Sequence, residues 1–304
     1  MHRRLNTRGK IAVSILLTVI IVLLSGLIGN NEKKASDPKL EDSLKRLSFS
    51  SEPVATFSDS KLGQSIVEWE IETREALRKE EAAKQNQIDQ QENAVYLTFD
   101  DGPSDVTGQL MDILNDYEMQ ATFFMLGPRI KEYPDAVKRM HQEGHGLALH
   151  GITHKLDRIY SSTSSPSLEM IEDQAILEST TGVRSDIIRL PYGSFPYLTE
   201  EMRYRLWQHG FQIWDWNVDS LDWEFNNRQY VQHTIQEIEK VKQIGEIPNI
   251  LLHDRQETVN YLPELLSYIK SQGYKTKVLT NEMPPLTFQC EGRCRPVSNS
   301  TVGR

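Results

Sequence analysis

From Ala94 to about residue 280, short apolar runs alternate with amphipathic segments, and this constrains the fold more than any other feature of the chain. Residues 94–99 (AVYLTF), 121–126 (ATFFML), 146–150 (GLALH), 187–191 (IIRLP), 211–218 (FQIWDWNV), 249–253 (NILLH) and 274–279 (YKTKVL) read as strands. Between them, residues 106–117, 133–143, 167–180, 200–209, 230–242 and 262–272 read as helices; Leu110, Ile113 and Leu114 share one face of the first. Strands separated by helices pair in parallel, because only a crossover of that length returns the chain to the same end of the sheet. The expected class is α/β, with about seven parallel strands in an open sheet or a barrel. Chemistry in such folds sits where strands end and loops begin.

The N-terminal tenth of the chain differs in texture. Ile11 to Gly29 carries no charge, and Arg3, Arg4, Arg8 and Lys10 precede it with no acidic residue. Nineteen residues of helix span roughly 28 Å, close to the hydrocarbon thickness of a bilayer. The expectation is an uncleaved membrane anchor, its basic end in the cytoplasm and the rest of the chain outside. A cleaved signal peptide is the alternative, although Leu24 to Gly29 lacks a clean small-x-small site. The whole chain carries −9, so a +4 head leaves −13 for the body. An acidic body argues against nucleic acid as a partner.

Residues 30–57 are polar with Pro38 and Pro53 and read as a linker. Residues 61–91 read as a helical stalk with a narrow stripe of Leu62, Ile66, Trp69 and Leu77. The two cysteines, Cys290 and Cys294, lie in a C-terminal segment read as a tail; outside the cell such a pair is open to a small-loop disulfide.

The predicted strand ends collect the polar residues. The first ends in Asp100 and Asp101, where adjacent carboxylates can divide metal binding from base catalysis. The third ends in His150, with His154 four residues on, a spacing that lets two imidazoles share a metal. The others lead into Arg189 and the Pro191–Tyr192–Gly193 turn, into Asp219, Asp222 and Trp223, and into Leu251 and His253. Together they describe an Asp/His/His centre of the zinc type with an adjacent base and a separate histidine.

TFDDGPS (98–104), HGITH (150–154), RLPYGS (189–194), DSLDW (219–223) and LLHD (251–254) resemble, in order, the five motifs of the polysaccharide deacetylases, the NodB homology domain of carbohydrate esterase family 4. The resemblance implies a distorted (β/α) barrel of about seven parallel strands and a divalent metal, Zn2+ in the usual case. It implies hydrolysis of acetyl groups on polysaccharides. Carried over, Asp101, His150 and His154 are metal ligands, Asp100 the general base and His253 the general acid. Arg189 contacts the base and Asp222 tunes the acid. Trp223 and Leu251 wall an acetyl pocket, and the Tyr192 N–H is an oxyanion donor. One departure is Gly151, where the family has Ser or Thr after the first histidine. The implied organisation is a basic segment 1–10, an anchor 11–29, a linker and stalk 30–92, a catalytic domain 93–283 and a tail 284–304. Location and resemblance together point to peptidoglycan, and to N-acetylglucosamine within it. Chitin-type or poly-N-acetylglucosamine polymers, and a catalytically silent glycan-binding protein, are the rivals.

Overall fold

The computed structural model describes residue 80 and residues 83–295; the expected anchor and linker, and most of the expected stalk, lie outside them. Among the described residues no helix is long and apolar enough to cross a membrane. Eight parallel strands form one sheet: β1 (Ala94–Asp100), β2 (Thr122–Leu126), β3 (Gly146–Gly151), β4 (Ile187–Ile188), β5 (Gln212–Ile213), β6 (Val218–Asp219), β7 (Asn249–His253) and β8 (Lys275–Lys277). Their order is β5-β4-β3-β2-β1-β7-β6, with β8 paired to the start of β1. The helices are α1 (Thr107–Asp116), α2 (Gly127–Glu132), α3 (Pro134–Gln142), α4 (Leu156–Ile159), α5 (Ser165–Thr181), α6 (Glu200–Gln208), α7 (Asp222–Phe225), α8 (Gln229–Gln243) and α9 (Gln256–Ser271).

The run at 211–218, expected as one strand, is two short ones. The correction has a clear cause. β5 and β6 stand at opposite ends of the strand order yet are joined by only residues 214–217. The Trp214 N–H donates to Ile188 O of β4 and the Asn217 N–H to Asn249 O of β7, at 2.8 and 3.2 Å. The backbone thus crosses from one edge of the curved sheet to the other instead of continuing a ladder, and β5 and β6 do not pair with each other.

Period-two alternation sorts the strand residues into two layers. Val95, Leu97 and Phe99 of β1, Phe123 and Met125 of β2, Leu147 and Leu149 of β3, and Ile250 and Leu252 of β7 belong to the large core beneath the helices. The intervening positions face the inside of the curve. Tyr96, Phe124, Ala148, Ile187 and Trp214 form a second, smaller core there, joined by Leu279 and Met283. Further along the strands the same parity carries Thr98, Asp100, His150, Arg189, Leu251 and His253. Parallel pairing puts these polar positions at one end, and the register sets Asp100 opposite His253.

Local chemistry fixes the helix ends. Thr199 accepts the Met202 N–H at the start of α6, with Glu200 and Glu201 in its first turn. Gly182 ends α5 in the left-handed conformation at φ +75°. Residues 83–91 form the helical end of the expected stalk, and Asp89 there accepts from the Tyr96 hydroxyl and from Lys277 Nζ at 2.6 Å. Residues 284–295 pack onto the crossing. Leu286 O accepts from Asp215, and the Phe288 N–H donates to the Asp215 carboxylate, both at 2.7 Å. Cys290 and Cys294 are bonded to each other with their Cα atoms 5.4 Å apart.

Candidate active site

All ten residues singled out by the sequence gather around one cavity of about 620 Å3 or directly behind its wall. Asp101 leaves β1 in a left-handed turn at φ +72°. Gly102 follows because a Cβ there would lie 2.3 Å from Asp254 Oδ2. Asp254 in turn accepts from the Ser104 and Thr107 hydroxyls, tying down the loop. That turn aims Asp101 Oδ1 at two imidazoles, 3.4 Å from His150 Nε2 and 3.2 Å from His154 Nε2.

The trio suits a divalent cation. One ligand atom from each residue lies within 4.8 Å of the others. His150 Nδ1 sits 2.7 Å from Arg189 O, and a carbonyl only accepts, so Nδ1 carries the proton and Nε2 is left as a free lone pair. Asp101 Oδ1 is buried with no hydrogen-bond partner, an orphan that a cation would satisfy. Three protein ligands leave a coordination position open, as catalytic zinc sites do. Burial works to raise the Asp101 pKa, but its close approach to His150, with the charges of His154 and His253, holds it well below the carboxylate range. Burial and the neighbouring His150 lower the His154 pKa, favouring the neutral ring that ligation needs.

Asp100 stands beside the trio, its Oδ2 3.8 Å from His150 Nε2. Its other oxygen is gripped by Arg189 Nη1 at 2.8 Å. Arg189 is fully buried, and each of its three guanidinium nitrogens donates, in four hydrogen bonds. Nη1 also reaches Thr98 Oγ1, Nε reaches Trp214 O and Nη2 reaches Asp215 O, while the guanidinium lies 4.0 Å from the Phe124 ring centre. A buried cation is tolerable only with such partnering. The crossing at 214–217 therefore supplies two of the arginine's acceptors.

Across the cavity, His253 Nδ1 lies 2.7 Å from Asp222 Oδ1. Asp222 is wholly buried, and its other oxygen accepts from the His253 N–H and the Thr258 hydroxyl. Burial alone would lower the His253 pKa. The hydrogen bond and charge of Asp222, with smaller help from Asp100 and Asp101, outweigh it and lift the value from 6.5 to about 9. The same pairing holds Asp222 below its usual range despite burial.

Leu251 is buried at the floor of the cavity, and Trp223 stands half exposed at its rim. Tyr192 adopts φ +67°, and its hydroxyl donates to His154 O at 3.0 Å. Sequence reasoning passed over several neighbours. Trp216, Leu190 and Arg255 also line the cavity, and Thr98 and Asp215 hold Arg189 and the turn at 194. Thr98 was within reach, since it stands two residues before Asp100 on one strand face.

A family model described as polysaccharide deacetylase matches residues 87–214. YheN of Bacillus subtilis (strain 168), named as a candidate polysaccharide deacetylase, is 46% identical over 205 residues, covering 67% of this chain and 72% of YheN. This chain belongs to the polysaccharide deacetylase family. A peptidoglycan-N-acetylglucosamine deacetylase of Bacillus cereus (strain ATCC 14579) is 35% identical over 207 residues, 65% of this chain and 74% of that protein. The crystal structure of the Bacillus cereus polysaccharide deacetylase Bc1974 superposes with a TM-score of 0.60 at 34% identity, covering 66% of this chain and 99% of Bc1974. The family assignment agrees with the expectation drawn from the five motifs.

Proposed function

We propose that this chain hydrolyses N-acetyl groups of a cell-wall polysaccharide, with N-acetylglucosamine in peptidoglycan as its substrate. The observation that carries the reading is the pairing of two differently held groups across the Asp/His/His trio. Asp100 is held by Arg189 on one side and His253 by Asp222 on the other. Amide hydrolysis needs both. The attacking water must lose a proton, and the departing amine must gain one because it cannot leave as an anion.

Asp101, His150 and His154 would hold the cation, with Zn2+ favoured by the donor set. Bound there, it supplies Lewis acidity to the acetyl carbonyl and to the water. Asp100 Oδ2, the oxygen not held by Arg189, takes the water proton. His253, its pKa raised to about 9, is protonated at neutral pH and delivers a proton to the nitrogen. The Tyr192 N–H, in a turn at φ +67°, would donate to the developing oxyanion, and one such donor is worth about 3 kcal/mol in known cases. Leu251 and Trp223 receive the acetyl methyl and the sugar face. Arg189 and Asp222 act through Asp100 and His253.

The substrate reading rests on the Bacillus cereus relative's name and on the expected location, residues 11–29 anchoring the chain with residues 93–283 outside the membrane. The full chain supplied with zinc should release acetate from peptidoglycan, and Asp100→Asn should not. Digestion of the treated wall should then yield glucosamine. Muramic acid in its place would overturn the choice of sugar, and activity on chitooligosaccharides alone would overturn the choice of polymer.

A further inference from the structure

The loop that carries two of the three candidate ligands is pinned by two carboxylates of α5. Asp173 Oδ2 accepts the N–H groups of His150 and Gly151, at 3.0 and 2.8 Å. Glu169 Oε2 accepts those of Ile152 and Thr153, at 2.9 and 3.0 Å, and its Oε1 accepts the Thr153 hydroxyl at 2.7 Å. Four consecutive backbone donors and a hydroxyl therefore end on two side chains. Those side chains are four residues apart, on one face of one helix.

The loop is shaped to accept this grip. Gly151 turns at φ +93°, and a Cβ there would lie 3.2 Å from Glu169 Oε2, so the close approach leaves no comfortable room for a side chain. Gly127 at the start of α2 leaves space on the far side of Asp173, where a Cβ would meet Asp173 Oδ1 at 3.1 Å. Asp173 is fully buried, and that Oδ1 has no hydrogen-bond partner. A buried, half-satisfied carboxyl costs stability. A helix facing an apolar core gains nothing from it except what its other oxygen holds.

We propose that Glu169 and Asp173 are positioning residues of the metal centre. By fixing the backbone from His150 to Thr153 they set the separation and aim of the two imidazoles, and so the affinity of the centre for a divalent cation. With His150 Nδ1 fixed against Arg189 O, the ring is held at its far edge while Asp173 holds its backbone. His154 enters the centre directly from Thr153 at φ +45°, so the Glu169 grip on residues 152 and 153 decides where its ring begins. Groups that orient metal ligands typically change metal affinity 10- to 100-fold when removed.

The proposal rests on reading Asp101, His150 and His154 as the cation site, and the test separates the two claims. Zinc affinity of the full chain is measured by competition with a chromophoric chelator, alongside the thermal stability of the metal-free protein. E169A and D173L should bind zinc 10- to 100-fold more weakly than the parent. E169Q and D173N keep an amide oxygen where the accepting carboxylate oxygen stood, and should stay within a few-fold. Glu169 is only half buried, so the metal-free E169A protein should remain folded. In the Co2+-loaded protein, E169A should alter the visible absorption bands, which report ligand geometry rather than fold. Parent-like affinity in both E169A and D173L overturns this inference alone. So does a loss of affinity seen only in variants already unfolded without metal. A parent that binds no zinc overturns the metal reading, and the inference with it.

Discussion

Replacing Asp222 with asparagine should move the alkaline limit of activity by more than two pH units. In the native site His253 is lifted from 6.5 to about 9, chiefly by the hydrogen bond and charge of Asp222 acting against burial. At 1.36 kcal/mol per unit, the protonated ring is favoured by about 3 kcal/mol. A cation held by Asp101 would offset that residue's charge, so Asp222 is the partner whose effect persists in the loaded enzyme. Asparagine preserves the shape but removes the charge. Its amide N–H groups also cannot accept from Nδ1, from the His253 backbone and from Thr258 at once. Burial is then opposed only by the smaller effects of Asp100 and Asp101, and the pKa falls toward its ordinary 6.5. At pH 8 the protonated fraction drops from about nine-tenths to about 3%, a loss of about 30-fold from protonation alone. The assay is kcat/KM for acetate release from an N-acetylated oligosaccharide between pH 5 and 10. The descending limb should lie near 9 in the parent and near 6.5 in the variant, and the two rates should converge toward pH 5.5. A variant whose descending limb remains near 9 would refute the argument, because the group lost at high pH would then not be the one Asp222 supports.

Three further outcomes follow from the geometry. The raised His253 pKa contributes stability that is fully present below 6.5 and is lost as pH rises through about 9. Urea unfolding of the metal-free protein should therefore show a loss over that window, and the loss should be absent in Asp222→Asn. Chelation should abolish acetate release and zinc should restore it, whereas Asp101→Ala should resist restoration at the same zinc concentration; restoration to parental rates would remove Asp101 from the ligand set. Phe124 is fully buried against the Arg189 guanidinium, so Phe124→Ala should cost about 3–5 kcal/mol and lower activity by loosening the arginine beneath Asp100. Denaturant midpoints and kcat measured on the same preparation would check both effects.

The sequence made the strand ends legible because parallel β/α alternation forces them to one end, and the five motifs fall there. It did not disclose the crossing at 214–217. FQIWDWNV is as apolar as a buried strand, and only its hydrogen bonds, to β4 on one side and β7 on the other, distinguish a bridge from a ladder. Nor did it disclose Glu169 and Asp173. Ser167, Asp173 and Gln174 are all buried on α5, so polar residues occupy the face that periodicity assigns to the core. Residues 284–295 read as a tail because their attachment is mostly backbone and polar. Asp215, which receives the Phe288 N–H, lies far away in sequence.

The place of β1 in the sheet has a consequence for how the molecule is made. Among the described residues it is the first strand synthesised, yet it lies between β2 and β7 and also receives β8. Asp100 meets its register partner His253 only after most of the domain has been translated. Contacts so distant in sequence close slowly. An incomplete chain would hold β1 with one flank unpaired and no opposing histidine. The chain therefore cannot assemble its chemistry before His253 has been added, and a fragment ending short of it would lack the opposing histidine.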